Sequence, residues 1–243
     1  MSEQSTGSDF TDAPINCCVF KICGLSRIEL ADLVAGIDLG RNARFSIIED
    51  HPDLALRLAF DNSDDQELLR LRDQVRAVVG SHIYAEGDRT LEEVVGELLL
   101  AKHKTLALAE SCTGGYLSHR ITRVAGSSAY YFGGAVTYSN EAKVLFLSVK
   151  PETLERHGAV SRETALEMSK GIRERTGASI GLSVTGVAGP SGGSIEKPVG
   201  TVWISIEQDG FHEARRFHFH GDRERIISAT SQTALDWLRL SLL

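Results

Sequence analysis

The stretch Leu106–Thr122, "LALAESCTGGYLSHRIT", decides how this chain is read. An apolar run stops abruptly at Glu110, and a helical pattern follows two glycines, so the order is strand, turn, helix, with the helix expected over 113–123. Such a turn presents free backbone N–H groups at the helix start, which favour an anion or a developing oxyanion. Gly114 and Gly115 allow close approach by a ligand or a neighbouring backbone. Three readings stand for the turn: Ser111 or Cys112 as nucleophile, a phosphate cradle, or a plain capped turn around a buried cysteine.

Working outward, helices and strands alternate on both sides. Thr90 and Glu93 form a capping box before Leu91, Val94, Val95, Leu98 and Leu99, which recur at helical spacing, so 91–103 reads as an amphipathic helix. Downstream come a strand and turn at "GGAVTYSN", a short helix at "EAKVLFLS", and a second short helix from Pro151 to Gly158. Ser161 caps a helix over 162–176 that Gly177 ends. Strands at "SIGLSVTG" and "GTVWISIEQDG" flank a glycine-rich loop. A strand at "HEARRFHFHG" and a helix over 222–241 close the chain. Alternating elements of this kind predict a layered α/β domain over 89–243.

The front of the chain reads differently. Residues 1–14 are polar, acidic and without the apolar core of a signal peptide, so a disordered cytoplasmic tail is expected. Strands at 17–24, 43–49 and 54–61 and two helices follow, one opened by the capping box Ser26/Glu29 and one started by Ser63, Asp64 and Asp65. This β-α-β-β-α order predicts a small α+β domain over 15–88, with "AEGDRT" (85–90) as linker.

Composition narrows the function classes. The chain has 243 residues, 42% hydrophobic and 24% charged, and no apolar run near the roughly 20 residues that cross a bilayer. Residues 1–88 hold 8 basic and 16 acidic side chains, within a total formal charge of −7. A net negative front third is a poor partner for polyanions, so no nucleic acid is expected. Cys17, Cys18, Cys23 and Cys112 lack zinc-ligand spacing and read as buried thiols. His218 and His220 would share one strand face, and a solvated face is the expected meaning. No metal and no cofactor are expected.

Three further segments carry chemistry. "TYSNEAK" places Tyr138 at a strand end and Lys143 one turn into a helix. A lysine near a tyrosine in a water-poor site can lose its charge and act as a general base. The loop in "SVTGVAGPSGGSIEKPVGTVW" (183–203) concentrates Gly186, Gly189, Gly192, Gly193 and Gly200 without matching a Walker A or GxGxxG pattern. In "GDRE" (221–224), Asp222 is placed to cap the last helix and Arg223 to meet a phosphate or carboxylate.

Together, "LALAESCTGG", "AGSSAYYFGGAVTYSNEAK", "HGAVS", "SVTGVAGPSGGSIEKPVGTVW" and "GDRE" occur in the order of the C-terminal domain of the competence/damage-inducible CinA proteins, which residues 88–243 resemble. The front region resembles, more weakly, the KH-like middle domain of full-length members, though no GXXG loop is present. Full-length members begin with a molybdopterin-binding-like domain associated with nucleotide pyrophosphatase activity. The sequence carries no match to it, and that activity is not carried over.

The resemblance implies an α/β/α layered fold and hydrolysis of nicotinamide mononucleotide to nicotinate mononucleotide and ammonia. It implies Ser111 as nucleophile, Lys143 as base and Tyr138 as its helper. Backbone N–H groups beside Thr113 and Gly114 would hold the oxyanion. Thr185, Gly186 and the loop through Gly189 would line the nucleotide site, and Arg223 would meet the phosphate. Cys112 is expected to be packing. Two other readings share these motifs: an amidase for a different carboxamide, and a non-catalytic nucleotide-binding or scaffold protein that keeps the pocket. A cytoplasmic homo-oligomer is expected.

Overall fold

The computed structural model describes residues 16–60 and 65–243. The expected tail over 1–14, and Ser63 and Asp64 at the start of the second helix, lie outside the described residues. The fold is mixed α/β with two sheets. In the front unit, β1 (Asn16–Ile22), β2 (Ala43–Asp50), β3 (Asp53–Phe60) and β4 (Ile83–Glu86) form an antiparallel sheet in the order β2-β3-β1-β4. Helices α1 (Arg27–Val34) and α2 (Asp65–Val79) cover one face.

Period-two alternation explains that face. Phe20 and Ile22 on β1 and Leu54, Leu56, Leu58 and Phe60 on β3 point to Leu30, Val34, Leu71, Val75 and Val79 on the helices. The odd-numbered residues of β1 face the other way, which is why Cys17 is exposed, while Cys18 packs at the edge of the core face and is half-buried; of the thiols expected to be buried, Cys23 and Cys112 are. The linker expectation also changes: Ala85 and Glu86 belong to β4, which pairs with Lys21 and Phe20. Arg72 and Arg76 of α2 hold the Glu86 carboxylate at 2.6 Å each.

The larger unit is a three-layer sandwich. Its sheet has the order β6-β5-β7-β8-β9, built from β5 (Leu106–Glu110), β6 (Tyr131–Val136), β7 (Ile180–Gly186), β8 (Thr201–Gln208) and β9 (Phe211–His218). Strands β6, β5 and β7 are parallel, and β8 and β9 run antiparallel. On one face, Leu106, Leu108, Ile180, Leu182 and Val184 pack under α3 (Leu91–Ala101), α4 (Tyr116–Thr122) and α8 (Arg223–Ser241). On the other, Ala107 and Ala109 meet the core beneath α5 (Asn140–Leu147), α6 (Pro151–His157) and α7 (Arg162–Thr176). The small residues there are obligatory: a Cβ on Gly181 would stand 2.1 Å from the Ser169 carbonyl oxygen of α7.

The two units touch. Cys23, Tyr84 and Ala85 join the larger core, and Asp53 Oδ1 accepts hydrogen bonds from Tyr84 and from Gln232 of α8, both 2.9 Å. Arg239 of α8 donates to the Ser81 carbonyl at 2.6 Å.

Candidate active site

The opening stretch folds as a strand and a helix joined by a turn, but the helix begins at Tyr116 rather than 113. The cause is the glycine pair: Gly114 and Gly115 have φ of 61° and 99°, left-handed values that interrupt a right-handed helix. Strand β5 then divides its last side chains by alternation. Glu110 follows Leu106 and Leu108 onto the α4 face, and Ser111, whose N–H still bonds to the Val184 carbonyl at 3.0 Å, faces the α5 side.

Glu110 is fully buried, and its carboxylate accepts four hydrogen bonds. The donors are the amides of Gly115, Leu117 and Ser118 at 3.0, 3.1 and 2.8 Å and the Ser118 hydroxyl at 2.6 Å. The anion at the start of α4 is thus supplied by the protein itself. This corrects the expected oxyanion support. The Gly115 amide is taken by Glu110, and the Gly114 amide donates to the Ser111 carbonyl at 3.1 Å. Among the described residues, the Cys112 and Thr113 amides have no protein acceptor.

On the other side of β5, α5 delivers the lysine. Ser139 caps the helix through the Ala142 amide at 3.1 Å, and Lys143 and Leu147, four residues apart, form its buried stripe. Lys143 is 1% exposed and has no ion-paired carboxylate among the described residues. Its Nζ lies 3.0 Å from Ser111 Oγ and donates to the Thr137 carbonyl at 2.7 Å. The Thr137 amide in turn bonds to the Glu110 carbonyl at 2.7 Å, so the strand holding the serine also fixes the lysine's acceptor. Burial disfavours the ammonium and lowers the Lys143 pKa, and the neighbouring Cys112 thiol opposes this more weakly. Burial acts on Cys112 in the opposite sense, pushing its thiol up to about 12, so it stays protonated among core residues.

Ser111, Lys143, Tyr138, Thr185, Gly186 and Arg223 line one cavity of about 160 Å³. Arg223 sits at the start of α8, where Asp222 caps the helix through the Arg225 amide at 2.9 Å. Arg223 donates to the Gly189 carbonyl and to the Tyr138 hydroxyl, both at 2.9 Å. Tyr138 is 62% exposed, and its hydroxyl bonds to Arg223 rather than to Ser111 or Lys143. It stands at the mouth of the cavity, not in the water-poor interior expected. Thr185 uses its hydroxyl to hold the Ala159 carbonyl at 2.7 Å, and Gly186 is pressed against β8, where a Cβ would meet Val202 at 2.7 Å. The side chain of Thr113 lines a different cavity, beside Tyr116 and Asp222. The His218 and His220 rings meet edge-to-face at 4.7 Å, and no acidic, histidine or cysteine cluster suited to a metal occurs among the described residues.

The class is defined by a three-layer α/β domain in which a serine just beyond strand β5 lies 3.0 Å from a buried lysine of helix α5. Residues 88–242 match the family model for the CinA C-terminal domain, and the chain belongs to the CinA family. A CinA-like protein of Geotalea daltonii is 43% identical over 230 residues, covering 93% of this chain and 56% of that relative. A solved CinA superfamily protein from Klebsiella pneumoniae is 39% identical, with a TM-score of 0.61 over 63% of this chain and 98% of the other. The competence/damage-inducible protein CihA from Agrobacterium tumefaciens is also 39% identical, with a TM-score of 0.59 over 63% and 96%. The chain spans little more than half the length of the curated relatives it matches, 58% and 56% for two of them. No helix among the described residues is long and apolar enough to cross a membrane.

Proposed function

We propose that this chain is an amidase that hydrolyses the carboxamide of nicotinamide mononucleotide to the carboxylate, releasing ammonia. One observation carries the reading: an uncompensated, buried lysine with a lowered pKa lies 3.0 Å from a serine hydroxyl inside a small cavity. A neutral Lys143 Nζ can accept the Ser111 proton while its remaining hydrogens point to the Thr137 carbonyl. Ser111 Oγ attacks the carboxamide carbon, and the amides of Cys112 and Thr113 take the oxyanion. The Lys143 ammonium returns its proton to the departing nitrogen, and ammonia leaves an acyl ester on Ser111. Water attacks the ester with Lys143 again as base, the acyl–Oγ bond breaks, Lys143 gives that proton to Ser111 Oγ, and the acid departs.

Arg223 and Tyr138 close the mouth and orient the ring, with Thr185 and Gly186 as the wall and the Gly189 carbonyl holding Arg223. The cavity volume of about 160 Å³ fits this division of labour. Cavities enclosing whole drug-sized ligands span roughly 300–1,000 Å³, so this one admits only the reacting end. A homo-oligomer belongs to the same reading, supported by the exposed apolar side chains of Phe132, Val136, Leu145 and Phe146 near the site. Light scattering checks it.

The test is direct. Nicotinamide mononucleotide is incubated with the protein, and ammonia and the acid product are measured. The reading requires both products in equal amounts, and their loss in Ser111→Ala. No ammonia from the unaltered protein rejects it.

A further inference from the structure

Between α6 and α7 the chain passes from one cavity to another. Ala159 lines the cavity of about 160 Å³ that holds Ser111 and Lys143. Ser161 lines a neighbouring cavity of about 500 Å³. Val160, half-buried between them, is the one residue common to both linings among the described residues. The sheet beneath shows the same division: Thr185 of β7 lines the smaller cavity, and its register partner Trp203 of β8 lines the larger.

The backbone leading to Val160 is clamped. Gly158, with φ of 75°, ends α6 and turns the chain. The carbonyls of the next stretch are then held in succession by side chains. His157 accepts from Lys197 Nζ at 2.6 Å. Gly158 accepts from the Ser161 and Thr164 hydroxyls at 2.9 and 2.8 Å, and Ala159 accepts from the Thr185 hydroxyl at 2.7 Å. The donors come from the loop after β7, from the start of α7 and from β7 itself. Three consecutive peptide groups fixed from three elements set where the next side chain stands. That side chain is a β-branched valine, stiff at χ1.

From this we infer that Val160 is the specificity-determining residue of the Ser111 cavity: it walls the reaction chamber off from the larger cavity and limits the acyl group to a single six-membered ring. Thr185 is its positioning residue, acting through the Ala159 carbonyl. An apolar cavity of roughly 150 Å³ holds one benzene ring. At about 160 Å³ the Ser111 cavity therefore takes one ring and not two fused ones. This rests on the proposed amidase reading for the reacting atom, Ser111 Oγ, and on the two linings for the wall.

Arylboronic acids test the wall without turnover. Ser111 Oγ bonds to boron, the serine proton passes to Lys143, and boron becomes a tetrahedral anion with no leaving group. Phenylboronic acid carries one ring and 2-naphthylboronic acid two fused rings. Both are titrated by calorimetry into the intact protein, Val160→Ala, Thr185→Val and Ser111→Ala. The unaltered protein should hold the phenyl compound at least about tenfold more tightly, since even one misfitting methylene in an apolar pocket is worth about that much. Val160→Ala trims two methyl groups at a half-buried position and should narrow the preference about tenfold or more, by gaining naphthyl binding rather than losing phenyl binding. Thr185→Val frees the Ala159 carbonyl and should narrow it by a smaller factor. Equal binding of both compounds by the unaltered protein, or an unchanged preference in Val160→Ala, overturns the inference. Undiminished binding in Ser111→Ala places the ligands elsewhere and also overturns it. Ammonia release from nicotinamide mononucleotide, measured on the same preparations, separates this from the amidase reading. Ammonia release with a preference that Val160→Ala leaves unchanged removes the inference and keeps the reading. A preference relaxed by Val160→Ala without ammonia release removes the reading and keeps the inference. Neither ammonia nor boronate binding removes both.

Discussion

Glu110→Gln is the perturbation that most sharply separates the scaffold of the turn from its chemistry. The substitution is nearly isosteric and removes one acceptor end from a fully buried group that accepts four hydrogen bonds. If the new NH2 faces Gly115 and Leu117, two amide donors oppose it. If it faces Ser118, the Ser118 amide is stranded, and the Ser118 hydroxyl, which already accepts from Tyr131 at 2.7 Å, must turn to accept from it as well. The second orientation is cheaper. Its cost is one orphaned buried amide plus the lost charge on the remaining bonds, about 2–4 kcal/mol. For a chain of this size that lowers Tm by roughly 5–15 °C. Thermal unfolding by circular dichroism measures it, and Ser118→Ala on the same background tests the coupling. The double variant should cost clearly less than the sum of the two single losses. A Tm within about 2 °C of the unaltered protein would refute the account of how α4 and the turn are anchored.

Lys143→Ala should lower kcat about 10²–10⁴-fold with little change in fold. Because burial lowers the Lys143 pKa and the base works neutral, kcat/KM should rise with pH and level off below the ordinary lysine value; a profile flat across that range contradicts it. Cys112→Ala should keep most of the activity, and its thiol, held up at about 12, should react with iodoacetamide far more slowly at pH 8 than the exposed Cys17. Arg120→Met should destabilise by about 3–5 kcal/mol in denaturant titrations, because it strands Glu92 from a 2.7 Å ion pair in which both side chains are 7% exposed.

How far the sequence carries differs from element to element, for physical reasons. Helices with local start and stop chemistry are legible: Ser161 and Gly177 bound α7, and the Ser26/Glu29 and Thr90/Glu93 boxes form as expected. Strand β4 is missed because four residues carry no period, and its partner lies more than sixty residues earlier. At the site, the serine and lysine could be named from motifs. The alternation that sends Glu110 towards α4 and Ser111 towards α5 was available in the apolar run, as was the Lys143/Leu147 stripe. The 62% exposure of Tyr138 has no local signature at a strand end. Its bond to Arg223 spans 85 positions in the chain.

The central claim is that Ser111, activated by Lys143, attacks a carboxamide. Ser111→Ala and Cys112→Ala, assayed side by side for ammonia release from nicotinamide mononucleotide, test it most directly. The account predicts a loss of about 10³-fold or more in kcat for Ser111→Ala and near-full activity for Cys112→Ala. Retained activity in Ser111→Ala, or a dead Cys112→Ala with unchanged Tm, would contradict it.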